Sequence, residues 1–125
     1  MATRSIVRII PRNTEEQENN LGNAPKYIYL YHHWDGSPSG VGRELEYFLR
    51  GRNDVNDADG QPTWDANRIA QELMHTIGGY IKSEGNEGDL EYGYIIDCAQ
   101  RTLKCYDLEH GKLSIDNANE LVVLL

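Results

Sequence analysis

Long apolar runs, cysteines and basic side chains are all scarce in this sequence of 125 residues. None of its apolar runs approaches the ~20 residues that a membrane-spanning helix needs, and its first residues lack the apolar stretch of a signal peptide. Its two cysteines are too few for a disulfide framework. We therefore expect no membrane partner, reduced thiols and a cytoplasmic location.

Basic residues number 12 against 20 acidic ones, which gives a formal net charge of -8. A field of this sign repels polyanions and argues against bulk nucleic acid as a partner. A small anionic ligand stays compatible with the composition, because a few local arginines would be enough to hold it. The arginine guanidinium group binds phosphate or carboxylate through two parallel hydrogen bonds.

Sequence motifs of common cofactor and nucleophile sites are also missing. The chain contains no CxxC, GxGxxG, GxxxxGK[ST] or GxSxG pattern. We therefore expect no cofactor and no bound metal, and the sequence assigns no catalytic residue.

The length fits a single domain of residues 1–125. Strands and helices occur in separate runs along the chain. This order predicts an α+β fold with a mostly antiparallel sheet of four to five strands and two amphipathic helices packed on one face. The predicted strands are Thr3–Ile10, Tyr27–His33, Leu90–Cys98 and Thr102–Leu108, and the predicted helices are Val41–Arg50 and Ala66–Ile81.

Three other segments complete the outline. The polar stretch Arg12–Lys26 is typical of a loop. The tail of residues 117–125 fits an edge strand or a short helix, and the pattern does not choose between them. Cys98 and Cys105 flank the turn of the last hairpin, where they are small buried hydrophobes or, across the hairpin, partners for a disulfide under oxidation.

The segment YHHWDGSPSGVGR, which ends at Arg43, carries the most chemistry. It leaves a strand, passes through glycines and opens a helix, where free amide groups and the helix dipole hold anions. The alternative is purely structural, with a turn at Asp35-Gly36, a helix cap at Ser39 and Trp34 at the edge of the core. The candidate ligand-binding residues in this segment are His33, Trp34, Asp35, Gly36, Gly40, Gly42 and Arg43.

Arg4 and Arg8 are the remaining candidate ligand-binding residues. Strand alternation places both on one face, next to a strand rich in tyrosine. An uncovered face of this kind suits stacking and anion pairing. The alternative is cross-strand pairing with Glu91 or Asp97 on a solvated sheet.

A metal or hydrolase site is a third interpretation of the same segment. His33 and Asp35 would share a face if the strand continues, and His75 on the second predicted helix would complete a His/Asp/His set. Ser37 or Ser39 acting with a His-Asp base is equally weakly supported, because no strained nucleophile elbow is predicted.

The run YHHWDGSPSGVG, together with ATRS near the start and DLEYGYIIDCAQRTLKCYDL near the end, resembles a family of small proteins of phages, prophages and gut bacteria. That family shares an HWDGxPxGxG signature and a late DLEYxYxID…CY hairpin, and it is uncharacterised. The resemblance spans nearly the whole chain. It implies an accessory protein of mobile elements that acts inside a bacterial host cell, more often by binding than by catalysis.

These observations lead us to expect a non-enzymatic protein that binds and sequesters a small anionic, nucleotide-type ligand to counter host defence. The alternative is an acidic inhibitor or adaptor that docks a host protein. A small His/Asp metal-assisted hydrolase is the third. We also expect a homo-oligomer, because the exposed tyrosines and the apolar tail need cover.

Overall fold

The computed structural model describes residues 2–12, 27–52, 54–83, 88–109 and 111–125. Most of the loop expected at Arg12–Lys26 lies outside the described residues. In chain order the elements are β1 (Arg4–Ile10), β2 (Ile28–His32), one π-helical turn (Pro38–Gly42), α1 (Arg43–Arg50), α2 (Ala66–Ile77), β3 (Tyr80–Lys82), β4 (Leu90–Asp97), β5 (Thr102–Asp107) and β6 (Asn119–Val123).

The strands form one mixed sheet of six strands in the order β3-β2-β1-β4-β5-β6. Four neighbouring pairs are antiparallel, and β1 and β4 at the centre run parallel. The α+β prediction is confirmed, but the expected count of four to five strands is too low. The two additional strands, β3 and β6, lie at the two edges of the sheet. None of the described helices is long and apolar enough to cross a membrane.

Both helices pack on one face of the sheet and form the main core with it. Alternate residues of the central strands, such as Val7 in β1 and Ile96 in β4, are fully buried there. They meet Leu45 of α1 and Leu73 of α2 in the same cluster. Burying a side chain of this size stabilises the fold by roughly 1.5–3 kcal/mol, so this layer holds the helices in place.

The opposite face of the sheet is partly covered by the segment 111–118. Ile115 from this segment joins Ile6, Tyr31 and Leu108 in a second, smaller core cluster. The segment is held in shape locally, because Asn117 Oδ1 accepts hydrogen bonds from the amide and the hydroxyl of Ser114 at 2.9 and 3.1 Å. The sheet face opposite the helices is therefore partly covered.

Helix α2 begins and ends for identifiable reasons. Asp65 caps its first turn by accepting a hydrogen bond from the amide of Arg68 at 3.0 Å. The helix was predicted to reach Ile81, and this is wrong by four residues. Gly78 and Gly79 have φ of 76° and 88°, which are left-handed values that break the helix. The chain then enters β3 at the edge beside β2.

The tail is a strand, since β6 pairs antiparallel with β5 at the far edge of the sheet. Cys98 and Cys105 are both buried, and no disulfide joins them. They are not opposite each other: Cys105 pairs in register with Tyr94, whereas Cys98 lies beyond the end of β4. Cys98 is four residue steps beyond Tyr94, or roughly 13 Å of extended chain, which is too far for a disulfide in this arrangement.

Candidate functional site

The turn segment, residues 33–43, has an inner side that is closely packed. The amide of Gly36 donates to the carbonyl oxygen of Thr3 at 2.8 Å. The carbonyl oxygen of Gly36 accepts the hydroxyl of Tyr94 at 2.7 Å. A Cβ atom at Gly36 would lie 2.6 Å from the Thr3 oxygen, and one at Gly42 would lie 3.0 Å from the Tyr94 hydroxyl. Both glycines therefore permit close packing of the turn against the sheet.

The amide groups expected to be free for an anion are already used. Val41 donates to the carbonyl of Asp35 at 2.6 Å, and Gly40 and Gly42 donate to that of Ser37 at 2.9 and 3.2 Å. These bonds belong to the π-turn, which precedes α1 and shifts its start to Arg43. Ser39 lies inside this turn and does not cap the helix. The glycine amides of the segment thus offer no anion site.

The outer side of the turn segment forms one wall of a cavity of about 650 Å³, which we call the turn pocket. The end of β2, the π-turn, the start of α1 and the end of α2 surround it. This volume lies within the range of small-molecule sites. Its lining residues are His32, Trp34, Asp35, Ser37, Ser39, Gly40, Val41, Glu44, Thr76 and Ile77.

His32 is the most unusual residue of the turn pocket. It is only 5% exposed, and its Nε2 lies 3.1 Å from the carbonyl oxygen of Gly78. A carbonyl only accepts, so Nε2 carries the proton in this bond and Nδ1 keeps a lone pair. Nδ1 is buried and finds no hydrogen-bond partner among the described residues. Burial lowers the pKa of His32, outweighing the opposing hydrogen bond with Gly78, so the ring is neutral at pH 7.

Ser5 is a second buried polar residue at the same end of the sheet. It is opposite His32 in the β1–β2 register, so both side chains point to the helix-covered face. Its hydroxyl also has no hydrogen-bond partner in the described part of the chain. Ser5 is fully buried, and Gly36 lies directly over it. It is therefore sealed beneath the turn segment, whereas His32 reaches the pocket wall.

The ionisable groups around the turn pocket are acidic. Asp35 and Glu44 are exposed, and neither carboxylate has a hydrogen bond or ion pair with a described residue. Neither Lys nor Arg occurs among the described residues that line the cavity. Trp34 adds an aromatic surface that is 63% exposed. The pocket therefore offers acceptors and a ring face, and it lacks a cationic side chain.

The predicted arginines lie elsewhere. Arg4 pairs with Asp89 at 3.2 Å. Arg8 is 7% exposed, donates to Asp116 at 2.7 Å and to the Tyr29 hydroxyl at 3.2 Å, and lies over the ring of Tyr27.

The contacts of Arg8 fix its charge state. Burial alone lowers the pKa of Arg8, but the bonds to Asp116 and Tyr29 outweigh it, and the pKa is raised. Arg8 thus anchors the segment 111–118, and its ion-pair partner is not the Glu91 or Asp97 that cross-strand pairing would use. Arg43 does not line the turn pocket. It is exposed and lines an adjoining groove of about 230 Å³, which shares Ser39, Gly40 and Glu44 with that pocket.

The histidines and the aspartate of the metal interpretation are not brought together. Nδ1 of His33 contacts the hydroxyl of Tyr31 at 3.0 Å, and Asp35 lines the turn pocket. His75 is exposed on α2 and does not line that pocket. Among the residues that the structure describes, no group of three His, Cys, Asp or Glu side chains is placed to hold a metal ion.

Sequence reasoning named His33 as a site residue and passed over His32. The signal was available, because strand alternation places His32 on the same face as Ile28 and Leu30. A histidine on an apolar face has to satisfy its ring nitrogens in the core. What the pattern does not show is that only one of the two nitrogens would find a partner.

A second cavity, of about 540 Å³, lies between α2 and the strands β2 and β3. Ile28, Met74 and Ile81 give it a largely apolar wall. Tyr27 and Ser83, which also line it, border residues outside the described ranges. We therefore assign no site to this cavity.

No family model, curated protein or solved structure matches the chain. The family resemblance carried by the HWDG segment stays a prediction. The residues of the turn pocket are thus the basis for a functional proposal.

Proposed function

We propose that the protein is a non-enzymatic module that binds a small polar ligand in the turn pocket. The observation that carries this proposal is the His32 side chain at the wall of that cavity. Its Nδ1 is a buried acceptor without a partner among the described residues. A buried acceptor left unpaired costs about 1–3 kcal/mol, and a ligand donor that reaches it recovers part of this cost.

The proposed site lies at the turn segment that the sequence analysis singled out. The proposal does not keep the anionic charge that was expected of its ligand. An anion at the turn segment would need free amides or arginines. The amides of Gly40 and Gly42 are paired within the chain, and Arg4 and Arg8 have acidic partners elsewhere. The nucleotide-type ligand and its sequestration against host defence remain predictions, and the latter rests on the family resemblance.

Binding is favoured over catalysis by the position of the hydroxyl groups. Ser5 is opposite His32, as a nucleophile and its base would be, but it is fully buried beneath Gly36 and out of reach of a substrate. Ser37 and Ser39 contact each other through their hydroxyl oxygens at 3.2 Å. This arrangement gives neither hydroxyl a histidine base.

The test is a ligand screen by thermal shift and by tryptophan fluorescence. The panel contains organic amines, neutral sugars, and cyclic and ADP-ribose-type nucleotides. Trp34 faces solvent at the pocket and Trp64 is buried, so a ligand of the turn pocket should change the Trp34 signal. Trp34→Ala should abolish the response, and Tyr47→Ala, at a residue that is 85% exposed, should keep it. If no compound produces a Trp34-dependent response, the proposal is wrong.

A second candidate function, docking to another protein chain, is favoured by the edge strand β6. Leu121, Val122 and Val123 are all exposed there, and on one side the strand has no neighbour in the described part of the sheet. An exposed apolar edge invites strand pairing. The same feature supports the homo-oligomer expected from the tail, in which two β6 strands pair.

Light scattering after size exclusion tests this second candidate. Leu121→Lys places a charge on the edge and should convert an oligomer to monomers. Val55→Lys, at an equally exposed residue in the loop before α2, is the matched control. A monomer at every concentration would contradict the homo-oligomer.

A further inference from the structure

We infer that the ligand of the turn pocket carries a positively charged hydrogen-bond donor, such as an organic ammonium or guanidinium group. This inference rests on the proposed function and gives the ligand a sign opposite to the one that the sequence suggested. Three independent elements contribute to it: the turn segment, α1 and β2.

The carboxylates supply the charge. Asp35 comes from the turn and Glu44 from the first turn of α1, and both line the same cavity without a partner among the described residues. The chain contributes no described Lys or Arg to neutralise them there. A bound cation would serve as the missing counter-ion, and an anion would be repelled by both groups.

His32 also lines the pocket, and its hydrogen bonding points to the same chemistry. With its Nε2 proton committed to Gly78, its Nδ1 only accepts. Both carboxylates also only accept at neutral pH. All three groups therefore require donors from the ligand, which an ammonium or guanidinium group provides in several directions.

Trp34 adds a surface that suits an organic cation. The His33 ring meets it edge-on, with centroids 4.7 Å apart and planes at 82°, which supports the indole from the side of the sheet. The exposed indole attracts a cation placed over its face. A cavity of about 650 Å³ is far larger than a metal ion needs, and no described group of three ligands would hold one.

The experiment is a fluorescence titration of the full chain with three probes of different charge. Agmatine is the cationic probe, trehalose the neutral one and adenosine monophosphate the anionic one. Agmatine should quench Trp34, and its affinity should fall as salt screens the carboxylates. The Trp34→Phe variant identifies the signal, because Trp64 is buried and stays as background.

Variants that neutralise one carboxylate at a time test whether the cation binds beside Asp35 and Glu44. Asp35→Asn suits the φ of 54° at this residue, since Asn tolerates left-handed backbone. Asp35→Asn and Glu44→Gln should each weaken agmatine binding about threefold to fivefold, as expected for exposed ion pairs. Together they should weaken it about tenfold or more. Glu46→Gln removes the same charge from α1 at a residue outside the pocket, so it should leave the affinity unchanged.

The outcomes separate this inference from the proposed function. If trehalose or adenosine monophosphate quenches Trp34 and agmatine does not, the pocket binds a ligand but the inferred charge is wrong. If agmatine binds equally well to the Asp35→Asn/Glu44→Gln double variant, the carboxylates do not select the ligand, and the inference is again wrong. If no probe acts through Trp34, the inference fails, and the broader screen decides on the proposed function.

Discussion

The two sides of the turn segment are built in opposite ways. On the inner side both backbone polar groups of Gly36 are hydrogen-bonded, the amide to the Thr3 carbonyl and the carbonyl to the Tyr94 hydroxyl. No space remains there for a Cβ atom. On the outer side Trp34 and Asp35 face a cavity, and the Asp35 carboxylate has no described partner. The turn segment thus anchors the fold through Gly36 and offers a binding wall through Trp34 and Asp35.

This contrast indicates how the segment can hold exposed groups in a defined geometry. A fixed backbone beneath them positions Trp34 and Asp35, and preorganised groups bind at a lower entropic cost. The contrast also implies a test: changes on the inner side should lower stability, and changes on the outer side should lower binding only.

Among changes to the turn segment, the largest loss of stability is expected for Gly36→Ala. The added Cβ would lie 2.6 Å from the Thr3 oxygen and 2.8 Å from Ser5 Cβ, so backbone has to move. We expect a loss of about 3 kcal/mol in the free energy of unfolding, measured by urea denaturation. Gly88→Ala is the control, because no atom of the described residues lies within 4 Å of the Cβ added there. Equal stability of the two variants would contradict the close packing of the inner side.

Tyr94→Phe should have the next largest effect. It removes the hydroxyl that donates to the Gly36 carbonyl at 2.7 Å and leaves that buried acceptor unpaired. The expected loss is about 2 kcal/mol in the free energy of unfolding. Tyr47→Phe changes the same group at an exposed residue and should be neutral. A neutral Tyr94→Phe would mean that the turn segment is not held through this bond.

The local parts of this architecture were open to prediction from sequence. Alternation in β1, β2, β4 and β5 marked four strands. β3 was missed because three residues, Tyr80–Lys82, are too few to show a period of two. Its strand character comes from pairing with β2, which is a tertiary contact.

The candidate site shows the same limit. The HWDG segment lies at the proposed pocket, but its amide pairing depends on the π-turn, which no residue pattern predicts. Arg8 is a clearer case: its partner Asp116 is 108 residues away in sequence. Contacts of this kind arise when the segment 111–118 folds over the sheet, so sequence reasoning mistook a structural arginine for a ligand-binding one.

A change of pH should alter the free energy of unfolding by a smaller amount. The group responsible is His32, the buried residue that lines the turn pocket. Its pKa is lowered in the folded chain, whereas the unfolded chain titrates near 6.5. Below that pH the unfolded state binds more protons, so the free energy of unfolding falls as pH falls, by up to about 1.4 kcal/mol per pH unit. Above that pH, the contribution of His32 to the free energy of unfolding is constant. Urea denaturation between pH 7.5 and 5.5 measures the slope.

Two variants isolate this contribution. His32→Gln should flatten the slope, because the ionisable group is gone. His75→Gln, on the exposed surface of α2, should keep it. If both variants titrate like the unchanged chain, another group causes the slope, and His32 is not a buried neutral acceptor.

The smallest change in stability is expected for Trp34→Ala, within about 0.5 kcal/mol of the unchanged chain. Trp34 is 63% exposed, and among the described residues its indole has a ring contact only with the edge of His33, so little apolar area is lost. Trp64→Ala should cost about 4 kcal/mol, because this indole is buried and donates to the Arg52 carbonyl at 3.0 Å. Urea denaturation compares the two. If Trp34→Ala costs as much as Trp64→Ala, Trp34 belongs to the edge of the core, and the contrast between the two sides of the turn segment disappears.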